Sequence, residues 1–237
     1  MKKWTEDKLK KLPVENGFRL RGFRMTRLET LTDAAFAFSI TMLVISVGKI
    51  PGNLVELIAA LKTTPALMLS FSMIFLFWSN HRTWSRNYGL ENFLSQLITF
   101  GLIFIFLVYI YPLRLMASLL MFLVSNGYLP SEFIVYHFDE VPTLFVIYGT
   151  GFTLIAFLFS LLFYQGLSNS HNLSLNQKEK TETVMAITAW AICCATGFIA
   201  TIIAATTPTY IGVFSGFIYS TLPVSVFISS KIINRKV

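Results

Sequence analysis

Residues 27–48 read RLETLTDAAFAFSITMLVISVG, and the interpretation of the whole chain depends on this stretch. From Ala34 onward it is mostly apolar and carries no charged residue. It reaches the roughly 17 residues needed to cross about 30 Å of hydrocarbon only when Leu31, Thr32 and Asp33 are included. An acidic residue just inside a membrane span is costly, so Asp33 needs hydrogen-bond donors and marks a candidate functional site.

One face of the helix predicted here forms a narrow stripe, because residues three or four apart share a face at about 100° per residue. The stripe contains Ala34, Phe38, Thr41, Ile45 and Gly48, with Arg27 at its base and Asp33 on its flank. Two interpretations are open. The stripe either packs against another helix, or it lines a narrow pore in which Thr41 supplies a hydroxyl between two large apolar side chains.

The composition indicates an integral membrane protein. Of the 237 residues, 54% are hydrophobic and 15% are aromatic, and the mean hydropathy is +0.64. A soluble domain of this size does not need so much apolar surface. The net charge of +7 comes from residues that gather at predicted membrane edges, so anionic lipids are expected as partners and nucleic acid is not.

Six apolar segments predict an all-α fold with six transmembrane helices. They are about 31–47, 66–84, 93–113, 142–163, 184–205 and 210–229. We expect three parts along the chain: a basic cytoplasmic N-terminal segment (1–26), a six-helix transmembrane domain (27–230) and a short cytoplasmic tail (231–237). The periodicity of the first part allows an amphipathic surface helix, which Pro13 and Gly17 would interrupt.

The distribution of Lys and Arg predicts the orientation in a plasma (inner) membrane. If the N-terminus is cytoplasmic, only Lys49, Lys62 and Arg114 of the 19 basic residues lie outside, so both termini are expected in the cytoplasm. The predicted outer loops carry acids instead, namely Glu56, Glu132, Asp139 and Glu140. These acids either concentrate cations at an outer mouth or are ordinary solvated loop charges.

A polar cluster is expected at the inner ends of the first two spans. Arg27, Thr32, Trp78 and His81 all carry donors that can satisfy Asp33, and a satisfied network would lock the two helices together. The alternative is simple interfacial anchoring by Trp, Arg and His. There is no P-loop, GxSxG or HExxH motif, and the three His residues are far apart, so we expect neither an enzyme nor a cofactor.

Two short motifs resemble those of the transmembrane protein 175 family, the endosomal and lysosomal potassium channels and their prokaryotic relatives. Residues 27–33 (RLETLTD) resemble its first-helix signature, Arg, three variable residues, then Phe-Ser-Asp, with Leu31 replacing Phe and Thr32 replacing Ser. Residues 77–82 (FWSNHR) are similar to the Trp and His that end the family's second helix.

The resemblance implies a homotetrameric potassium-permeable cation channel in which the first helix of each chain lines a central pore. Phe38 would then stand at the tightest point, and Thr41 at a position implicated in potassium preference, with potassium transiently near it. Ile45 is the other candidate for the constriction. A secondary transporter for a small solute and a non-conducting membrane scaffold are the competing hypotheses.

Overall fold

The computed structural model describes residues 4–45, 50–132, 135–137 and 139–235. Within them, six helical segments are long and apolar enough to cross a membrane, and they cover residues 27–45, 54–88, 93–124, 140–168, 177–206 and 209–233. The predicted all-α fold with six transmembrane helices is confirmed. Most of the helices extend several residues beyond the apolar stretches into polar sequence.

The helices in chain order are α1 (Glu6–Lys10), α2 (Arg27–Ile45), α3 (Leu54–Lys62), α4 (Thr64–Tyr88), α5 (Phe93–Val124), α6 (Glu140–Ser168), α7 (Ser170–Leu173), α8 (Gln177–Thr206), α9 (Thr209–Gly212) and α10 (Leu222–Arg235). Asparagine side chains cap the N-termini of α3, α5 and α8 by accepting from backbone N–H groups two or three residues into the helix. At α8 this forms a full capping box between Asn176 and Glu179.

The sequence suggested that the last span is one continuous α-helix, but the structure differs. A 3-10 segment, Val213–Thr221, separates α9 from α10. Pro223 stands in the first turn of α10, where its missing N–H costs no helical hydrogen bond, so an α-helix readily restarts there. The helix then continues to Arg235, beyond the boundary expected at residue 230. In α5, by contrast, Pro112 does not end the helix, which runs on to Val124 as the sequence allowed.

The N-terminal segment is folded against the bundle and does not form an extended amphipathic helix. After α1, the strands β1 (Val14–Glu15) and β2 (Phe18–Arg19) pair antiparallel, with Val14 opposite Arg19. Asn16 and Gly17 form the turn between them with φ of 53° and 86°. Left-handed backbone of this kind suits Asn and Gly, so the predicted interruption at Gly17 corresponds to a tight hairpin.

Aromatic side chains from four helices form the centre of the protomer. Phe159 of α6 stacks on Trp190 of α8, with ring centroids 4.4 Å apart, and Phe77 of α4 contacts Phe106 of α5 edge-on at 5.6 Å. Trp84 is fully buried, and its indole N–H donates to the Leu162 carbonyl at 2.7 Å. α2 packs on the outside of this centre, against α4 and α5.

Candidate functional site

The two faces of α2 differ sharply in burial. Phe36 and Leu43 are 3% and 0% exposed and face α4 and α5, whereas Phe38 and Ile45 are 56% and 70% exposed. The exposed face contains every described member of the predicted stripe, namely Arg27, Ala34, Phe38, Thr41 and Ile45. Gly48 lies outside the described residues. The protomer therefore leaves this stripe uncovered.

Thr41 has a polar atom on the exposed face. Its hydroxyl donates to the Ala37 carbonyl at 3.0 Å, in the preceding turn of the same helix. A hydroxyl whose proton is used in this way still has lone pairs on oxygen that can accept a donor or contact a cation. Phe38 and Ile45, on either side, are apolar. The exposed face thus has one oxygen ligand between two bulky hydrocarbon groups.

Asp33 lies on the flank of the stripe and is hydrogen-bonded to α4. The Trp78 indole N–H donates to Asp33 Oδ1 at 2.7 Å, and both side chains are partly buried. The Arg82 guanidinium lies over the Trp78 ring, 5.5 Å from its centroid, one turn further along α4. A short hydrogen bond to a charged acceptor is among the stronger polar contacts in proteins, so it fixes the N-terminal half of α2 against α4.

The contacts of the other predicted donors do not include Asp33 among the described residues. The Thr32 hydroxyl donates to the Leu28 carbonyl of its own helix at 2.8 Å, and Arg27 lies on the exposed face. His81 is 1% exposed, and its Nε2 lies 3.2 Å from the Thr99 hydroxyl of α5. Within the part of the chain that the structure describes, the predicted five-residue network thus reduces to the Asp33–Trp78 pair.

The angle between Trp78 and His81 around the helix axis explains why His81 does not contact Asp33. Trp78 and His81 are three residues apart, which places them about 60° apart around the axis. That angle turns the imidazole away from α2 and into the bundle, where Thr99 lies. No sequence pattern indicated Thr99 as its partner, because the contact depends on how α4 and α5 pack.

The C-terminal end of α2 has a polar contact that sequence reasoning missed. Arg114 of α5 donates from Nη1 to the Leu43 carbonyl at 2.9 Å and from Nε to Glu132 Oε2 at 2.6 Å. The available signal was a lone arginine inside an otherwise apolar helix, which requires a partner. Among the described residues, no group of three His, Cys, Asp or Glu side chains is close enough to hold a metal ion.

Three of the four acids in the predicted outer loops have local partners. Glu56 accepts from the Gly52 N–H at 2.8 Å, and Glu140 accepts from the Tyr136 N–H at 3.2 Å. With Glu132 bound to Arg114, these contacts favour the interpretation of the acids as loop charges with structural roles over that of a cation-collecting ring.

Residues 27–112 match the model of a family described as endosomal/lysosomal potassium channel TMEM175. A protein of Marivirga tractuosa named potassium channel is 30% identical over 227 residues, which cover 92% of each protein. The crystal structure of a variant of the potassium channel MtTMEM175, bound to a nanobody–MBP fusion protein, matches with a TM-score of 0.82 and 28% identity over 94% of this chain and 100% of that one.

A second solved structure agrees in fold. It is described as a lysosomal potassium-selective channel TMEM175 homolog from Chamaesiphon minutus, and it matches with a TM-score of 0.57 and 18% identity. The match covers 86% of this chain and 96% of that one.

Proposed function

This chain belongs to the TMEM175 family of potassium channels, and from that premise we propose that it is a homotetrameric, potassium-permeable cation channel with four copies of α2 around a central pore. The observation that carries the proposal is the uncovered stripe of α2. The opposite face of the same helix, with Phe36 and Leu43, is already buried in the protomer. A 19-residue helix that presents bulky apolar groups on its free face needs either lipid or a symmetric assembly to cover them.

The chemistry of the stripe favours a pore over lipid contact at Thr41. Phe38 and Ile45 supply a hydrophobic neck, in which a hydrated cation meets an energetic barrier because the walls offer no ligands. The Thr41 hydroxyl lies between them, exposed and with free lone pairs. A ring of four such oxygens can replace part of the hydration shell, so we place the transient potassium position near Thr41. Selectivity would then arise without a backbone-carbonyl filter.

The remaining parts of the proposal follow from the charge distribution. Both termini are cytoplasmic in a plasma membrane, with residues 1–26 as an N-terminal segment, 27–230 as the channel domain and 231–237 as the tail. The partners are potassium and other monovalent cations, membrane lipids and three further copies of the chain. Arg27, Thr32, Asp33, Trp78 and His81 have structural roles at the inner end, of which the Asp33–Trp78 bond is the strongest candidate.

Substitutions in the stripe test the pore assignment. Liposomes that contain the purified protein are loaded with potassium, and cation flux is measured for wild type, Phe38→Ala and Thr41→Ala. Phe38→Ala should widen and wet the neck, so flux should rise while discrimination between potassium and sodium falls or stays flat. Thr41→Ala keeps the neck and removes the hydroxyl ring, so selectivity should fall without a large gain in flux.

Phe157→Ala is the matched control. Phe157 is 52% exposed, close to the value for Phe38, but it lies on α6, outside the stripe. The pore assignment fails if Phe157→Ala changes flux as much as Phe38→Ala, or if neither stripe variant changes flux. Saturating flux with counterflow in the wild type would indicate a transporter, and absence of any flux would indicate a scaffold.

A further inference from the structure

Arg114 connects α5 to the outer end of the pore helix. Its Nη1 donates to the Leu43 carbonyl at 2.9 Å, two residues before the last described residue of α2. A cation at this end of a helix complements the negative pole of the helix dipole. We propose that Arg114 is a positioning residue for conduction, which holds the outer end of α2 in place, and that Glu132 keeps it there. The inference rests on the proposed function, in which α2 lines the pore.

The burial of Arg114 is what makes it depend on Glu132. Arg114 is 5% exposed, and a buried guanidinium needs an anion or it moves towards water. Glu132 meets it with both carboxylate oxygens, Oε2 at 2.6 Å from Nε and Oε1 at 2.5 Å from Nη2. Such a fork-on-fork pair fixes the orientation of the guanidinium, and therefore the direction of Nη1 towards Leu43.

Glu132 is itself held by α5. Its backbone N–H donates to the Ser118 hydroxyl at 3.3 Å, and Ser118 is fully buried one turn after Arg114. Further back in the loop, the Leu129 N–H donates to the Ser125 hydroxyl at 2.9 Å. The loop after α5 therefore folds back onto the face of α5 that carries Arg114. This arrangement ties the loop, α5 and α2 into one unit.

The Arg114–Leu43 contact lies close to a residue of the proposed pore. Ile45 follows Leu43 by two residues and lies on the exposed stripe, 70% exposed. When Glu132 loses its charge, the Arg114 guanidinium is less strongly held in its buried position, and its hydrogen bond to the Leu43 carbonyl weakens. The outer turn of α2 can then shift, and with it the four Ile45 side chains of the proposed neck. The effect on conduction is indirect, since Arg114 and Glu132 need not touch the ion.

The test compares Glu132→Gln and Arg114→Lys with wild type in the same liposomes. We expect Glu132→Gln to change the potassium-to-sodium permeability ratio at least about twofold. Arg114→Lys keeps the charge but not the planar fork, so it should change the ratio in the same direction by a smaller factor. Glu56→Gln is the control, because it removes an acid from the same side of the protein and should leave the ratio unchanged.

A swapped pair separates positioning from simple stabilisation. Arg114→Glu combined with Glu132→Arg restores an ion pair, but a carboxylate at position 114 cannot donate to the Leu43 carbonyl. We expect the swap to recover thermal stability relative to Glu132→Gln while the permeability ratio remains altered. Recovery of both would mean that the ion pair is only structural and would overturn the proposal.

Hydrogen exchange supplies a readout that does not need conduction. In Glu132→Gln, exchange of backbone amides in the outer turn of α2 should rise at least about threefold, with no change around Asp33. Unchanged exchange in that turn would overturn the proposal. An unchanged permeability ratio in Glu132→Gln would also overturn it, provided that Phe38→Ala changes flux in the same assay. If wild type carries no flux at all, the proposed function fails, and the exchange experiment still decides whether Arg114 holds α2.

Discussion

The N-terminal segment is expected to depend on one buried ion pair, Arg21–Glu179. Arg21 Nη2 lies 2.8 Å from Glu179 Oε2, and both side chains are fully inaccessible to solvent. Arg21 also donates from Nε to the Leu173 carbonyl at 2.8 Å. Glu179 in turn accepts from the backbone N–H groups of Arg19 and Asn176, both at 2.9 Å. The pair thus joins the hairpin, the end of α7 and the capping box of α8.

Removing either partner leaves the other charge buried. Arg21→Met leaves the Glu179 carboxylate with only its backbone donors, and Glu179→Gln leaves the guanidinium with only carbonyls. Breaking a buried pair in this way costs about 3–5 kcal/mol of stability. For a chain of this size each kcal/mol lowers the melting temperature by about 2–4 °C, so each single variant should melt about 6–20 °C lower. The double variant should lose less than the sum of the singles, because it leaves no uncompensated charge.

Thermal unfolding of the purified protein in detergent measures these shifts, with Lys178→Gln as the control. Lys178 and Glu182 form an ion pair of 3.9 Å on the same helix, with side chains 64% and 30% exposed. Exposed pairs contribute about 0–1 kcal/mol, so this variant should melt close to wild type. If Arg21→Met and Glu179→Gln cost no more than Lys178→Gln, the N-terminal segment does not dock on α8 through this pair.

Two further predictions concern stability. Trp78→Phe and Asp33→Ala should each lose about 1.5–3 kcal/mol, the usual range for a hydrogen bond to a charged group, and a double-mutant cycle should show coupling between them. Asn80→Ala is the control, since the Asn80 amide donates to the Leu76 carbonyl of its own helix. Additive losses in the Trp78 and Asp33 cycle would mean that the 2.7 Å bond carries no energy. Gly89→Ala should lose at least about 1 kcal/mol in thermal unfolding, because Gly89 has φ of +57° and a Cβ there would lie 2.9 Å from the Arg21 backbone. Gly52→Ala, where a Cβ meets no atom closer than 3.6 Å, should cost much less, and equal losses would contradict the proposed close approach.

The parts of the fold that the sequence predicted are those set by local patterns. Six apolar stretches predicted six spans, because crossing a bilayer requires a minimum length of apolar helix. Periodicity also grouped Phe38 and Ile45 on one face of α2, and the structure leaves that face exposed. Periodicity did not decide whether the face packs or stays free; only the family resemblance implied a free face. Trp78 was a sound choice as a partner of Asp33, because an intramembrane acid needs a donor and the end of the next span offers one.

The errors arose where a side chain had to be placed by packing between distant segments. His81 was assigned to Asp33 because it is near in sequence to Trp78, but the packing of α4 on α5 gives it Thr99. Arg114 and Glu132 were counted as charges on one side of the membrane, and nothing in their spacing indicated that they pair or reach Leu43. The hairpin at 14–19 was equally hidden, because two-residue strands give almost no periodic signal.

The two polar contacts of α2 differ in chemistry, but both restrict rotation and sliding of the helix. Near the N-terminal end a carboxylate on α2 accepts from Trp78 of α4, and near the C-terminal end a carbonyl of α2 accepts from Arg114 of α5. A helix bound to one neighbour near each end cannot easily rotate or slide. Phe38 lies about 140° from Leu43 around the axis, so a rotation that released either contact would also turn the ring away from its present direction. The residues that face the proposed pore are therefore determined by contacts on the flank and on the opposite side of the helix, which is why substitutions at Asp33 or Glu132 are expected to act on conduction without touching the ion path.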